Sequence, residues 1–380
     1  MQYKWKEATL LVSVLNAALG GKPPEIPEDV DWNNLFALAK LQKVEAMVCA
    51  GLSTAQNIPQ EIRRRFETAY KKEITAQCIR HNEGVSILNA FELNGIDCVP
   101  LKGWVIQDMY PNPAMRYMCD MDILFKPEQS GEVQRVLEAL GYTAQELGGN
   151  PEVYFKKPVM NIEMHKALIR DKTDHYATSW ERVVPVPHCA HTFSMTPEDY
   201  YLFMVAHLHK HFVGGGTGVR SVCDIEIYLR KCGDTLNREY IEEKLRQSEL
   251  LDFEKQVCAL CRAWFHDEPA DAELTAFSQK LLFCGVFGTP ERARENYMTA
   301  VVQSMPGKSA RTKKLFYKLS LLFPKLSVMQ DVFPVLRKAP FLLPVFWVVR
   351  GVRSVLHKQD QTKAALGTAD LADTDALNQK

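Results

Sequence analysis

The sequence predicts an α+β protein, in which a short mixed sheet with helices is flanked by helical regions at both ends. Three observations support this class. Apolar residues recur at three- and four-residue spacing before about residue 92 and after about residue 190, as in amphipathic helices. Between them, short β-like runs alternate with a helical pattern. With 380 residues, 46% of them hydrophobic and 24% charged, the chain can bury a core of ordinary composition.

Residues 1–92 form the predicted helical N-terminal region. Its first apolar run follows charged residues and precedes no clear small-residue cleavage site, so we interpret it as an amphipathic helix rather than a signal peptide. Asp31 is the expected N-cap of the next helix. A longer helical pattern begins after Pro59 and ends at Gly95, a residue type that commonly terminates helices.

Residues 93–190 form the predicted core. Its β-like runs are "IDCVPLKG" (96–103), "RYMCDMDILF" (116–125) and two short strands within "VYFKKPVMNIEMHKAL" (153–168), and "GEVQRVLEALGY" (131–142) is its helix. The remaining segments are a helical C-terminal region, 191–360, and a polar tail, 361–380, for which we expect disorder.

An acidic pair lies within the second β-like run. Because side chains alternate along a strand, Asp120 and Asp122 are expected on one face, with Cα atoms about 6.5–7 Å apart. The opposite, core-facing positions are Cys119, Met121, Ile123 and Phe125. No residue next to the pair in sequence neutralises it, and like charges this close raise a pKa unless a cation lies between them. A divalent metal is the simplest solution, and oxygen ligands favour Mg²⁺ or Mn²⁺. The alternative is a solvated turn or strand end.

Two further features favour the metal site. Glu163 lies in a later strand-like run, in which its apolar neighbours take the opposite face. Upstream, Lys102 and Gly103 end a strand and open a predicted helix, "WVIQDMY". A glycine there exposes backbone N–H groups that can bind an anion, and Lys102 adds a point charge suited to phosphate.

This order of elements resembles the nucleotidyltransferase superfamily, which has the DNA polymerase β-like fold, and in particular its uncharacterised or "family 5" group. The markers are "GIDCVPLKG", "YPNPAMRYMCDMDILF", "LEALGY" and "IEMHKAL". The later "HLHKHFVGGGTGVRSVCDIEIYL" also looks like that group, and the resemblance covers roughly residues 30–260. It implies a nucleotidyltransferase core and the transfer of a nucleoside monophosphate from an NTP such as ATP, with release of pyrophosphate.

The resemblance also implies roles for individual residues. Asp120 and Asp122 would hold catalytic Mg²⁺ or Mn²⁺, and Glu163 would be the third carboxylate, on the metal nearer the acceptor. Gly103 would match the glycine of the superfamily's Gly-Ser step. Lys102 and Arg116 would contact phosphates. The sequence departs from the family pattern in having Trp104 where the serine is usual and a longer spacer before Asp120. These departures affect the expected phosphate contacts rather than the metal site.

Two polar features follow the core. His207 and His211 lie on one helix face. They could pack between helices, line the nucleotide or acceptor pocket, or bind zinc, although Leu208 stands where a zinc protease motif has glutamate. Arg220 follows a glycine-rich loop that lacks P-loop spacing. It could pair with Asp224 four residues later, or contact substrate phosphate, which the resemblance favours.

Composition limits the partners and the compartment. Lys and Arg equal Asp and Glu at 46 each, so we do not expect duplex DNA as a partner. Ten scattered cysteines, including a Cys258–Cys261 pair expected in a core, suit a reducing cytoplasm. No apolar run reaches the ~18–20 residues of a transmembrane helix. The apolar and basic stretch 335–358 could pack in a core, contact a partner or lie on a membrane surface.

The sequence does not identify the acceptor, which could be a small molecule, a sugar, a protein or an RNA. A catalytically silent nucleotide-binding or regulatory module on the same fold is the principal alternative. A helical interaction protein, in which the acidic pair is a solvated edge, is another.

Overall fold

The computed structural model describes residues 4–147, 149–168, 179–286, 288 and 290–357. The chain divides into two compact units, of which the first comprises 1–211 with 217–287 and the second 212–216 with 288–380. The predicted boundaries at residues 92, 190 and 360 stay a prediction. The tail expected to be disordered, 361–380, lies outside the described residues.

Most helices lie within the segments that the sequence pattern predicts to be helical. As far as residue 284 they are α1 (Trp5–Ala18), α2 (Trp32–Gln42), α3 (Glu45–Gly51), α4 (Gln60–Leu93), α5 (Gly103–Ile106), α6 (Ser130–Ala139), α7 (Pro197–Gly214), α8 (Val219–Cys232), α9 (Arg238–Gln247), α10 (Leu251–Phe265) and α11 (Ala272–Cys284). The side chain of Asp31 caps α2 by accepting from the backbone N–H of Asn34 at 3.0 Å. Gly95 follows α4 with a φ of 68°, which favours glycine.

A five-stranded mixed sheet forms the centre of the first unit. Its strands are β1 (Cys98–Pro100), β2 (Met121–Phe125), β3 (Thr143–Glu146), β4 (Glu152–Lys156) and β5 (Met160–His165), in the order β1-β2-β5-β4-β3. Strands β2 and β5 are parallel, and the other neighbouring pairs are antiparallel. A short hairpin, β6 (Val184–Pro185) with β7 (Phe193–Ser194), forms a separate two-stranded sheet. The predicted α+β class with helical flanks is confirmed.

The main core lies between one face of this sheet and helices α4 and α6. From β2 and β5 it receives Met121, Ile123, Phe125, Met160, Ile162 and Met164, and from the two helices Ile87, Phe91, Val133, Val136 and Leu137. Burying each such side chain contributes about 1.5–3 kcal/mol. The predicted alternation of side chains therefore holds in both strands. Asp122 of β2 and Glu163 of β5 lie on the face of the sheet opposite this core. Cys119 precedes β2 and is only partly buried.

The second unit is helical, with α12 (Pro290–Gln303), α13 (Ala310–Leu322), α14 (Leu326–Val332) and α15 (Leu343–His357). It has two small apolar clusters, one between α12 and α13 and one around Met329, Phe333 and Leu336. In the described part of the chain, every helix is too short or too polar to cross a membrane. The ten cysteines are all unbridged, and Cys261 of α10 is buried as expected.

Candidate functional site

A cavity of about 320 Å³ lies beside β2 and β5, and helices α5, α7 and α8 complete its wall. The residues singled out from the sequence all line it: Lys102, Gly103, Arg116, Asp120, Asp122, Glu163, His207, His211 and Arg220. They come from segments more than a hundred residues apart, and the fold brings them to one place. Their individual roles remain predictions.

Strand pairing places two of the predicted carboxylates side by side. In the parallel register of β2 and β5, Asp122 lies opposite Glu163, and His165 follows on the same face of β5. One ligand atom from each of these three residues falls within 4.8 Å of the others. Asp120, one residue before β2, lines the same cavity but is not part of that close group. His165 had no predicted role, although strand alternation already places it on the same face of β5 as Glu163.

Asp122 is neutralised within the protein, although no residue next to the acidic pair in sequence does so. Lys102 Nζ donates to Asp122 Oδ1 at 2.8 Å, and His165 Nε2 lies 2.7 Å from the same oxygen. This ion pair cannot be recognised from the sequence alone, because Lys102 and Asp122 are 20 residues apart. The antiparallel pairing of β1 with β2 brings them together. Burial would raise the pKa of Asp122, but the charge of Lys102 and the hydrogen bond from His165 hold it well below its usual range.

The backbone at Lys102 and Gly103 is unusual. Lys102 has a φ of 44°, a strained value for a residue with a side chain, and its carbonyl accepts from Tyr200 Oη at 2.9 Å. A Cβ on Gly103 would lie 2.9 Å from Met118 Sδ, so only glycine fits without movement. The helix predicted for "WVIQDMY" is limited to four residues and a 3₁₀ turn. The expected helix-terminus anion site is therefore minor, because so short a helix has little dipole.

Trp104 occupies the position where the family usually has serine. Its ring stacks on His81 of α4, with the ring centres 5.6 Å apart, and packs at the margin of the main core. The Trp104 side chain, which stands where the resemblance leads us to expect serine, therefore packs against the core and does not line the cavity.

Glu163 has the opposite electrostatic character to Asp122. Burial, and then the negative charges of Asp122 and Asp120, raise the pKa of Glu163 above its usual 4.5. Two carboxylates and an imidazole form a set of oxygen and nitrogen donors that a divalent cation can share. A cation would also relieve the repulsion that acts on Glu163. The donor set therefore fits the metal that the sequence predicts.

The two arginines of the cavity differ in their partners. Arg116 donates from Nε and Nη2 to both carboxylate oxygens of Asp224, and from Nη1 to the Tyr117 carbonyl. Burial would lower the pKa of Arg116, but Asp224 raises it, so the guanidinium remains charged. The suggested pairing of Arg220 with Asp224 was wrong, because Arg116 and Tyr110 occupy that carboxylate.

Arg220 has far fewer bonds. Its Nη1 donates to the Tyr117 carbonyl at 2.8 Å, and its buried Nε bonds to none of the described residues. Burial, and then the charge of Arg116, lower the pKa of Arg220. An anion in the cavity would offset the effect of both on the charged form of Arg220, whereas Arg116 already pairs with Asp224.

His207 and His211 form a pair along α7, with their Nε2 atoms 2.9 Å apart. Burial, and then the charge of Lys102, lower the pKa of His207 well below its usual value. The same two causes lower the pKa of His211 to about 4. Both rings are therefore neutral at pH 7, with one donating to the other. Among the described residues, no cysteine or carboxylate joins them in a metal-binding group.

One comparison with known protein families agrees with the resemblance that the sequence motifs carry. A family model described as "Uncharacterised nucleotidyltransferase" matches residues 28–266, close to the expected 30–260. Among solved structures, the solution structure of the antibiotic-resistance factor ANT(2'')-Ia matches with 14% identity and a TM-score of 0.34, over 50% of this chain and 100% of that chain. No curated protein matches the chain.

Proposed function

The chain belongs to the family of uncharacterised nucleotidyltransferases, and from this premise we propose that it transfers a nucleoside monophosphate from an NTP to an acceptor hydroxyl or similar group. The acceptor oxygen would form a bond to the α-phosphorus while the bond to the leaving pyrophosphate breaks. The observation that carries the proposal is the pairing of Asp122 with Glu163, beside Asp120, in a cavity that also holds Lys102 and Arg220.

The carboxylates are the proposed holders of Mg²⁺ or Mn²⁺. Asp120, Asp122 and Glu163 would bind it, and His165 offers a nitrogen donor beside them. Both bonds to the Asp122 carboxylate use Oδ1, and no described residue donates to Oδ2, so that oxygen can serve a second cation. A divalent cation there would bind the triphosphate and lower the pKa of an acceptor hydroxyl.

The cationic side chains would offset the negative charge of the nucleotide. Lys102 is anchored by Asp122 at the edge of the cavity, and Arg220 has donors that no described carboxylate satisfies. A guanidinium binds phosphate oxygens with two parallel hydrogen bonds, which makes Arg220 the stronger candidate for a phosphate contact. Arg116 would act indirectly, because it positions Asp224 and the Tyr117 carbonyl that Arg220 also uses.

The histidine pair would contact the uncharged parts of the substrates. Since both rings are neutral at pH 7, each can donate from one nitrogen and accept at the other. A nucleobase or the acceptor hydroxyl offers complementary groups. Neutral imidazoles so near Lys102 would also avoid adding positive charge where a cation must bind.

A labelled-nucleotide screen tests the proposal. The protein is incubated with each of the four α-labelled NTPs, Mg²⁺ or Mn²⁺ and fractionated cell extract, and the labelled adduct and the pyrophosphate are measured. Asp122→Asn is compared with Asp97→Asn, a matched control whose aspartate is also paired with a lysine and a histidine but does not line the cavity. We expect transfer with the native chain and the control, and none with Asp122→Asn.

Calorimetry separates the competing functions. Metal-dependent NTP binding without any adduct or pyrophosphate would indicate a silent nucleotide-binding module. Absence of NTP binding under all metal conditions would contradict both nucleotide functions and leave the interaction protein. Equal transfer by Asp122→Asn and the native chain would refute the assignment of the metal site.

A further inference from the structure

The zero net charge of the chain conceals an uneven distribution. Residues 1–287 carry 31 Lys and Arg against 39 Asp and Glu, whereas residues 290–357 carry 12 against 3. Within the second segment, the last 50 residues have ten basic residues and one acidic residue, Asp331. The helices of the second unit are therefore strongly basic, while the unit that contains the cavity is acidic. A charge excess of this kind indicates an anionic partner.

The same helices expose large apolar side chains. Of the 20 such side chains that are exposed in the described residues, 12 lie between residues 315 and 352, and each is 42–79% exposed. They are Leu315, Phe316, Leu319, Leu322 and Phe323 at α13, Val328, Val332 and Val335 around α14, and Phe341, Val345, Val348 and Val352 at α15. We call this set the apolar face. Monomeric soluble proteins rarely expose so many apolar side chains together, so the face indicates an interaction site.

Helix α15 has apolar side chains both toward the small cluster and toward solvent. Phe346, Trp347 and Val349 pack on the small cluster around Phe333, and Val345, Val348 and Val352 point away from it with exposed side chains. A helix that is apolar on both sides has to be covered on both sides. Helices α13 and α15 are held together by the bonds of Arg350 to the Leu321 carbonyl and of Trp347 to the Pro324 carbonyl. Their exposed faces therefore belong to one folded unit.

We propose that the second unit binds the surface of a membrane rich in anionic lipids, with the apolar face inserted at the level of the headgroups. Helices that combine exposed apolar side chains with many lysines and arginines bind membranes in this way, through apolar burial and attraction to anionic headgroups. A second copy of the chain is the less favoured occupant, because a symmetric interface would bring two strongly positive units together. Exposed apolar side chains of this number also exceed what binding of an acidic polymer alone requires.

Vesicle co-sedimentation with the full chain tests the proposal. We expect binding to vesicles of mixed phosphatidylglycerol and phosphatidylcholine, weak binding to phosphatidylcholine alone, and release as salt is raised from about 0.05 M to about 0.5 M. The apolar variant, Leu319→Gln with Phe341→Ser and Val348→Gln, should reduce partitioning at least about tenfold. Its matched control, Ile74→Gln with Leu93→Gln and Leu147→Gln, changes exposed apolar residues of the first unit and should bind as the native chain does.

A second pair of variants tests the charge. Lys325→Glu with Lys338→Glu should reduce partitioning into anionic vesicles several-fold, and Lys71→Glu with Lys157→Glu, also exposed but in the first unit, should not. Circular dichroism and thermal melts confirm that each variant folds. Failure to bind anionic vesicles, or equal binding to neutral ones, would overturn the proposal. An oligomer in light scattering that the apolar variant dissociates, without vesicle binding, would show that a second copy covers the face instead.

Discussion

Two aspartates at neighbouring strands of the sheet have the same kinds of partner. Asp122 is bonded to Lys102 at 2.8 Å and to His165 at 2.7 Å. Asp97, which precedes β1, is bonded to Lys126 at 2.5 Å and to the partly exposed His191 at 2.7 Å. In both, burial raises the carboxyl pKa and the lysine and histidine lower it below the usual value.

Their surroundings differ. Asp122 is almost fully buried, lies opposite Glu163 and faces the cavity, whereas Asp97 is more exposed and belongs to no close group of metal donors among the described residues. A lysine and a histidine around an aspartate therefore do not by themselves make a site. The second carboxylate distinguishes Asp122 from Asp97, because burial and the negative charges of Asp122 and Asp120 raise the pKa of Glu163 beside it.

The largest expected effect is the difference in nucleotidyl transfer between variants of the two aspartates, Asp122 and Asp97. Asp122→Asn should lower nucleotidyl transfer by about 10³-fold or more, because it removes a carboxylate that we propose holds the metal in the transition state. Asp97→Asn should change transfer less than about threefold, since Asp97 does not line the cavity. Steady-state rates with saturating Mg²⁺ and NTP measure both. Equal losses in the two variants would mean that this cavity is not the site of transfer.

Glu163→Gln should have the next largest effect. It should lower activity but raise the stability of the metal-free protein. Transfer should fall by about 10²-fold, because a proposed ligand of the metal is lost. The metal-free protein should instead melt about 1–3 °C higher at pH 7, because the raised pKa of Glu163 shows that its ionised form is unfavourable in the fold. Differential scanning calorimetry with a chelator present measures the melting temperature. A lower melting temperature would show that Glu163 is balanced by a cation within the protein.

His165→Gln tests whether the imidazole is a metal ligand or only a partner of Asp122. Imidazole nitrogen suits Mn²⁺ more than Mg²⁺. We therefore expect Mn²⁺ affinity to fall about tenfold and Mg²⁺ affinity less than about threefold, as measured by electron paramagnetic resonance and by competition. The matched change, His191→Gln, should leave both affinities unaltered. If His165→Gln weakens both metals equally, the imidazole only orients Asp122.

The smallest effect is on stability and its dependence on pH. Because the folded-state pKa of Asp122 is below its usual 3.8, its ionised carboxylate stabilises the fold above that value, and the stabilisation is lost as the pH falls through the lower folded value. Asp122→Asn should thus lower the free energy of unfolding by about 1–2 kcal/mol at pH 7. The difference from the native chain should shrink below about pH 4. Urea unfolding at several pH values checks this, and a constant difference at all pH values would contradict it.

Much of the candidate site follows from local rules. Strand alternation separates Met121, Ile123 and Phe125 from Asp122, and the same rule separates Ile162 and Met164 from Glu163. These patterns involve only neighbouring residues, so the sequence reveals them directly. It also predicted where α2 begins and where α4 begins and ends, because helix-starting and helix-terminating residues act within a single turn, but it did not predict that α2 ends at Gln42.

The sequence by itself therefore determined most of the helices, strands β1, β2, β4 and β5, and the buried faces of β2 and β5, but not strands β3, β6 and β7. Only the tertiary structure decided which charged groups pair. The β1–β2 pairing places Lys102 next to Asp122, with which it forms an ion pair. Asp224 pairs with Arg116 and not with Arg220, although Arg220 is only four residues from Asp224 on the same helix. The physical reason is that an ion pair depends on the distance and burial of two side chains. For partners 20 and 108 residues apart, strand pairing and helix packing set both quantities.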